Sequence, residues 1–196
     1  LDPSRVHEAS RVLARAFRDD PLQRYTFPDP EERARLSPAH FEAIVRYGLL
    51  AGEVWVTEGE IEAAGVWWTP ERSEIDEAAL QEAGFYRLPE VIGAGAFNRF
   101  MGVIDCLEPL HKREMREPHW YAMVLGVDVG KQGQGLGSAL LAPVLSRADA
   151  TGTPCYLETT QPRNVAFYKL HGFEVLVEGR EPVSGLDYWT FRRAPR

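Results

Sequence analysis

Apolar residues recur along this chain at two periods, and the places where one period gives way to the other outline its elements. Over residues 4–17, Val6, Ala9, Val12, Leu13, Ala16 and Phe17 share one helical face, with Asp2 or Ser4 placed to cap it. A second helical face runs over 38–50 and stops at Gly52. Two β-rich runs follow at 54–57 and 63–69, joined by the turn-forming Glu58-Gly59-Glu60. Residues 71–84 are charged and Ala-rich, which fits helix or loop alike. Residues 96–111 read as helix, and 112–118 as a solvated linker. The C-terminal half alternates more regularly: strand 120–127, a glycine turn, helix 138–150, strand 155–159, helix 165–170, and strands 173–178 and 186–191. Pro143 interrupts the helix 138–150, where an interior proline costs ~3 kcal/mol or forces a kink, so a kink is expected there.

Strands alternating with helices predict an α/β architecture, and 196 residues are most simply one domain with a substantial core. Composition then narrows the partners. A formal net charge of −7 argues against nucleic acid and anionic membrane surfaces and favours cationic substrates such as amines. No apolar run approaches the roughly 20 residues needed to span a bilayer, and no signal-peptide pattern opens the chain. Cys106 and Cys155 make no disulfide framework, so a reducing cytoplasm is the expected setting. His7, His40, His111, His119 and His171 show no metal-ligand spacing, and no metal is expected.

The chemistry concentrates in GKQGQGLG at 130–137, between an apolar strand and a helix. Gly133, Gly135 and Gly137 let backbone N–H groups approach a ligand closely, and at a helix start those donors suit a phosphate or pyrophosphate. Three glycine motifs compete for this turn. A P-loop needs four residues between its first glycine and Gly-Lys, then Ser or Thr; here three separate Gly126 from Gly130-Lys131, and Gln132 follows. A dinucleotide fingerprint needs G-x-G-x-x-G, and Gly133-x-Gly135-x-Gly137 is one residue short. Glu158 stands where that fingerprint's ribose-binding acid would, but too little chain follows for the rest of a doubly wound sheet.

The third pattern fits. Gln132-Gly133-Gln134-Gly135-Leu136-Gly137 matches Q/R-x-x-G-x-G/A, and through it the chain resembles the GNAT superfamily of N-acetyltransferases. Leu125-Gly126-Val127-Asp128 is similar to the strand end before that signature, and Asn164 with FYKLHGF at 167–173 to the family's closing element. Within the superfamily the chain resembles the puromycin N-acetyltransferase group, through GEVWV at 52–56, VWWTPE at 66–71, EPHWYAMVLGV at 117–127, QGQGLGSALLAP at 132–143 and LETTQPRNVAFY at 157–168. Residues 1–16 are similar to the family's first helix; its usual first strand is not found before them, so the chain is expected to begin late. Residues 73–99 match nothing in the family. The resemblance implies a GNAT acyl-CoA N-acyltransferase fold over 1–196, a mixed central sheet with helices on both faces. It also implies acetyl-CoA as acetyl donor, bound by Leu125, Gly126 and Val127 of the strand and by Gln132, Gly133, Gln134, Gly135, Leu136, Gly137 and Ser138 of the turn.

Acetyl transfer to an amine needs a phosphate anchor, a bed for the thioester, a base for the ammonium and an acid for the leaving thiolate. Adjacent parallel strands splaying after Val127 and Thr159 would free backbone groups for the amide-rich arm of coenzyme A, and an N–H near Val127 for the oxyanion. Glu158, at a strand end facing the ligand crevice, is the candidate base, acting directly or through water; a surface ion pair with Arg163 is the plainer alternative. Tyr168 is the candidate acid, with core packing beside Phe167 as its alternative, and Asn164 one turn earlier would reach the pantetheine arm. Ser138 would cap the helix or touch phosphate. Trp55, Trp67, Trp68, Trp120 and Tyr121 read as core, though alternate ones could line an acceptor site, and Arg11, Arg15 and Arg18 as a solvated face. Arg24, Tyr25 and Phe27 lie where the family shapes acceptor choice. The expected acceptor is a small-molecule amine, an aminonucleoside antibiotic if the puromycin-type resemblance holds, which would make the protein a resistance factor. Protein N-termini or lysines are a second expectation, and a non-catalytic acyl-CoA sensor a third.

Overall fold

Three Asp-Pro pairs organise the N-terminal third, because an aspartate caps a helix while a proline at its first position lacks the N–H that would otherwise go unpaired. In this computed structural model, which describes residues 1–72 and 75–196, Asp2 caps a short 3₁₀ turn that leads into α1 (Val6–Ala16). Asp20 accepts from the N–H groups of Leu22 and Gln23 at the start of α2 (Pro21–Thr26). Asp29 does the same for α3 (Pro30–Ala51), from Glu31 and Glu32. Helix α2 was not expected from the apolar periodicity, and α3 begins eight residues before Pro38, which lies inside it. Its end at Gly52 is as expected.

Strands β1 (Gly52–Val56) and β2 (Ala63–Trp68) form a hairpin, and the helices α4 (Glu77–Glu82), α5 (Leu88–Val91) and α6 (Ala94–Glu114) follow. Ser73 and Glu74, within the stretch that fitted helix or loop alike, lie outside the described residues. Helix α6 extends through Glu114 into the expected linker. Then come β3 (Trp120–Val127), α7 (Leu136–Thr151), β4 (Cys155–Thr159), α8 (Arg163–Leu170), β5 (Glu174–Arg180) and β6 (Asp187–Arg193). Helix α7 runs on through Pro143.

Among the described residues the strands make one six-stranded sheet in the order β1-β2-β3-β4-β6-β5. Its pairings are antiparallel except that of β3 with β4. On one face, Leu141, Val144 and Leu145 of α7 and Tyr168 of α8 pack with Trp67, Trp120, Ala122, Leu157 and Phe191. On the other, α1 and α3 bring Val12, Leu13, Ile44 and Val45 against Val54, Ala64 and Val66. A β-bulge separates the two patterns in β3: Val66 pairs with Val124 but Trp67 pairs with Ala122, leaving Met123 as an extra residue. The alternation therefore changes phase in mid-strand. Ala122 and Leu125 pack with the α7 cluster, whereas Val124 packs with the α1–α3 cluster.

Gly126 sits where α1 crosses β3. A Cβ there would lie 2.8 Å from Leu13, 2.9 Å from Phe17 and 3.0 Å from Ala16, so the close approach of helix to strand requires glycine.

Candidate functional site

Strands β3 and β4 hold together over two residue pairs, Trp120 with Cys155 and Tyr121 with Tyr156, and then part. The separation begins after Tyr121 and Tyr156, much earlier than the expected points at Val127 and Thr159. Beyond it, β3 stays bonded to β2 as far as Val127, while its other edge has no strand partner. Unpaired N–H and C=O groups along such an edge can accept an extended, amide-containing ligand as a strand would.

The glycine turn stands at the end of that open edge. Asp128 is held by Arg15 at 2.8 Å and by its own N–H to the Glu62 carbonyl at 2.8 Å. Lys131 pairs with Glu62, and the Gln132 amide donates to the Val127 carbonyl at 3.1 Å. Gly133 and Gly135 take φ of 77° and 81°, the left-handed region in which a side chain is strained. Helix α7 starts after Gly135 with no side-chain cap, so its first N–H groups have no partner within the helix. Ser138, expected at the cap or on phosphate, instead meets His171 Nε2 at 2.9 Å. The site thus has the form of an anion cradle.

A cavity of about 430 Å³ joins the turn to the open end of β3 and to α8. Leu125, Gly126, Val127, Gln132, Gly133, Gly135, Leu136, Gly137, Ser138, Asn164 and Tyr168, all expected at the site, line it. Gln134 and Glu158 do not. The cavity also reaches Phe17 at the end of α1 and Asp20 at the start of α2. Asp20, whose carboxyl burial pushes up to about 6, was legible as a helix cap but gave no sign of facing this cavity.

Tyr168 is both packed in the core and open to the cavity. Its ring packs against Phe173 at 5.8 Å and Phe191 at 5.6 Å, yet the residue also borders the cavity. Burial, and then the charge of Asp20, push its phenol well above the ordinary tyrosine range, so it stays protonated. Asn164 Nδ2 donates to Thr159 Oγ1 at 3.1 Å, which ties α8 to the end of β4.

Glu158 makes no ion pair with Arg163. It is half-buried, near Tyr121 and Tyr156. Burial pushes its carboxyl up to about 7, the two tyrosines pull it down, and the charge of Glu114 adds to the rise. Trp68 meets Tyr121 edge-on at 5.2 Å and His111 lies flat on Tyr156 at 4.4 Å, so each of these tyrosines is packed on a further ring. Trp67 and Trp120 are core, Trp55 packs against their cluster and Trp68 against that of Tyr47, Ala51, Ala79 and Ala83, while Tyr121 lies half-buried between Trp68 and His111. Of the three residues expected to shape acceptor choice, Phe27 is buried among Ala43, Leu88 and Ile92, while the Tyr25 carbonyl accepts from Arg99 at 3.0 Å and Arg24 is exposed. Among the described residues no cluster of His, Cys, Asp and Glu could hold a metal ion, and no helix is long and apolar enough to cross a membrane.

Comparison with known proteins bears on the family and the fold. The acetyltransferase (GNAT) family model matches residues 15–173. An uncharacterized N-acetyltransferase of Schizosaccharomyces pombe is 28% identical over 172 residues, spanning 85% of this chain and 69% of that protein. Among solved structures, one described as histone acetyltransferase HPA2 and related acetyltransferase from Corynebacterium glutamicum superposes with a TM-score of 0.69 at 23% identity, covering 100% of this chain and 94% of that one. The Drosophila melanogaster polyamine N-acetyltransferase that forms N-acetylagmatine superposes with a TM-score of 0.64 at 19% identity, covering 99% and 97%.

Proposed function

The chain belongs to the GNAT family of acetyl-CoA-dependent N-acetyltransferases, and from that premise we propose that it acetylates a small-molecule amine at the gap between β3 and β4. The observation that carries this reading is the cavity itself, which runs from the glycine turn, along the open end of β3 where it has parted from β4, to Tyr168. Acetyl-CoA supplies the activated acetyl group. The N–H groups of residues 133–138 suit its pyrophosphate, and the open edge of Leu125, Gly126 and Val127 suits its pantetheine amides, with Asn164 beside it. Gln134, which does not line the cavity, is left out of this assignment.

Glu158 takes the proton from the acceptor ammonium, directly or through a water. A carboxyl raised to about 7 is a stronger base than an ordinary glutamate and is still half ionised near neutrality. Tyr168 holds a proton for the departing thiolate at every working pH, because its phenol is raised rather than lowered. A backbone N–H of the open β3 edge donates to the oxyanion.

Acidic and aromatic surroundings at Glu158, together with the net charge of −7, favour a cationic acceptor. The puromycin-type sequence resemblance supports an aminonucleoside, and the Drosophila relative's reaction supports agmatine or a polyamine. The test is to incubate the protein and acetyl-CoA with puromycin, agmatine, spermidine and peptides bearing free N-termini or lysines, following thiol release. Turnover with a small amine supports the reading. Turnover with peptides alone replaces it by protein acetylation, and tight acetyl-CoA binding without turnover replaces it by a sensor.

A further inference from the structure

Among the described residues, Asp20 is the one carboxylate that lines the cavity between the glycine turn and α8. Its backbone is fixed from both sides: its N–H donates to the Phe17 carbonyl at 2.9 Å, and its carbonyl accepts from Arg24 at 2.9 Å. Oδ1 accepts from the N–H groups of Leu22 and Gln23, at 2.9 and 3.4 Å. Oδ2 has no partner among the described residues. It is not shut away from solvent either, since the side-chain atoms that are both enclosed and unpaired belong to Thr26, Arg33, His40, Trp67 and Trp68. One oxygen therefore holds the side chain in place while the other is free to meet a ligand.

Capping accounts for the position of this side chain but not for its charge. Asp2 and Asp29 cap their helical turns in the same way and are exposed, whereas Asp20 is partly buried against the cavity. Asparagine caps a helix as well as aspartate does, so α2 does not need the negative charge. Nor does a cation of the protein neutralise it. Arg163 borders the same cavity but forms no ion pair with Asp20, and Arg18 pairs with Asp19 at 3.6 Å. From α3, His40 meets Gln23, and from α6, Arg99 donates to the carbonyls of Tyr25 and Thr26; neither bonds Asp20.

An unpaired carboxylate in a cavity is costly unless a cation joins it. The other end of this cavity is its opposite, an array of N–H donors that suits an anion. The polyanionic end of acetyl-CoA fits there and is repelled by Asp20, so Asp20 faces the second substrate. Phe17, Phe167 and Tyr168 line the cavity with it, and their rings favour a cation with an apolar body. Resting on the reading that a small-molecule amine is acetylated here, we propose that Asp20 receives the acceptor's ammonium and pairs with it through Oδ2. Asp20 thereby selects acceptors that are cationic when they bind. Burial raises its carboxyl to about 6, against the pull of its two N–H bonds and the charge of Arg163. Arg163 and Tyr168, both from α8, are the titratable groups facing it. Above about 6 the carboxyl is ionised and pairs with a cation; below that it is neutral and the pairing is lost.

The test measures binding of agmatine, spermidine and puromycin by calorimetry to the protein saturated with coenzyme A, which fills the cofactor end without reacting. Asp20→Asn keeps an oxygen for Leu22 and Gln23 and removes the charge. It should bind the parent's best amine at least tenfold more weakly, with coenzyme A affinity and melting temperature unchanged. Asp29→Asn, the same change at an exposed cap, should bind as the parent does. In turnover, Asp20→Asn should raise the amine KM at least tenfold and leave kcat nearly as it was. Amine affinity of the parent should rise as pH climbs through about 6, and that rise should be absent from the variant. If Asp20→Asn is unstable, Asp20→Ser, another capping residue, carries the same expectation. Parental amine affinity in either folded variant overturns the proposal and leaves Asp20 a cap. A fall in kcat with KM unmoved also overturns it, since Asp20 would then take the proton rather than hold the cation. If the parent binds coenzyme A but none of the three amines, the small-amine reading fails and the proposal with it; if parent and variants bind an amine equally, only the role of Asp20 falls.

Discussion

Tyr121 of β3 and Tyr156 of β4 form the last residue pair in register before these parallel strands part, and both lower the Glu158 carboxyl that burial raises. The pair thus marks the mouth of the gap. Tyr156 and Glu158 lie two residues apart on β4, on the same face.

Gly135 has φ of 81° and open space around its Cα, so a side chain there meets no protein atom but projects into the anion cradle. Gly135→Val should weaken coenzyme A binding at least tenfold, about 1.4 kcal/mol or more. Gly130, also in open space but outside the left-handed region, is the control, and Gly130→Ala should bind as the parent does. Calorimetry on both folded variants decides whether the turn holds the pyrophosphate.

Tyr168→Phe removes a hydroxyl and keeps the ring that packs on Phe173 and Phe191. Cofactor affinity should hardly change, while kcat falls at least tenfold. Full turnover in this variant would leave Tyr168 a packing residue.

Glu158 governs two pH dependences of opposite sense. Below about 7 its carboxyl is protonated and accepts nothing, so kcat/KM of the parent should climb as pH rises through that value. Glu158→Gln should be most impaired near neutrality and recover relative to the parent at high pH, where the amine deprotonates unaided. A carboxyl raised above its unfolded value of 4.5 binds more protons when folded, so its ionisation costs stability as pH rises from there through about 7. Glu158→Gln should therefore melt higher than the parent at pH 8 and show less difference at pH 5. A parent-to-variant rate ratio constant across pH would make Glu158 structural.

Gly126→Ala places a methyl within 3.0 Å of three α1-side carbons, and α1 must move off β3 to admit it. Denaturant unfolding should show a loss of about 1–3 kcal/mol, as overpacking typically produces. Unchanged stability would mean that the helix-strand contact is looser than its geometry implies.

Strands Trp120–Val127 and Cys155–Thr159 could be read from the chain to the residue, because a run of apolar and β-branched side chains between turn signals leaves little choice of local structure. The glycine turn was as plain, since the conformation at Gly133 and Gly135 is a property of the residue type itself. The Asp-Pro pairs at residues 20–21 and 29–30 were equally visible signals, but apolar periodicity alone passed over them.

The amino-acid sequence by itself determined the order of the C-terminal elements, the glycine turn and the two candidate side chains Glu158 and Tyr168, because each depends on neighbours within a few positions. Only the tertiary structure decided where β3 and β4 part, how the extra residue Met123 changes the phase of β3, and what surrounds Glu158. Glu114 shows why. It looked like part of a solvated linker, yet the last turn of α6 brings it to Tyr156 across 42 residues of sequence. No period or spacing encodes that contact, because it is set by how α6 packs on the sheet, and burial rather than residue type then raises the Glu158 carboxyl to about 7.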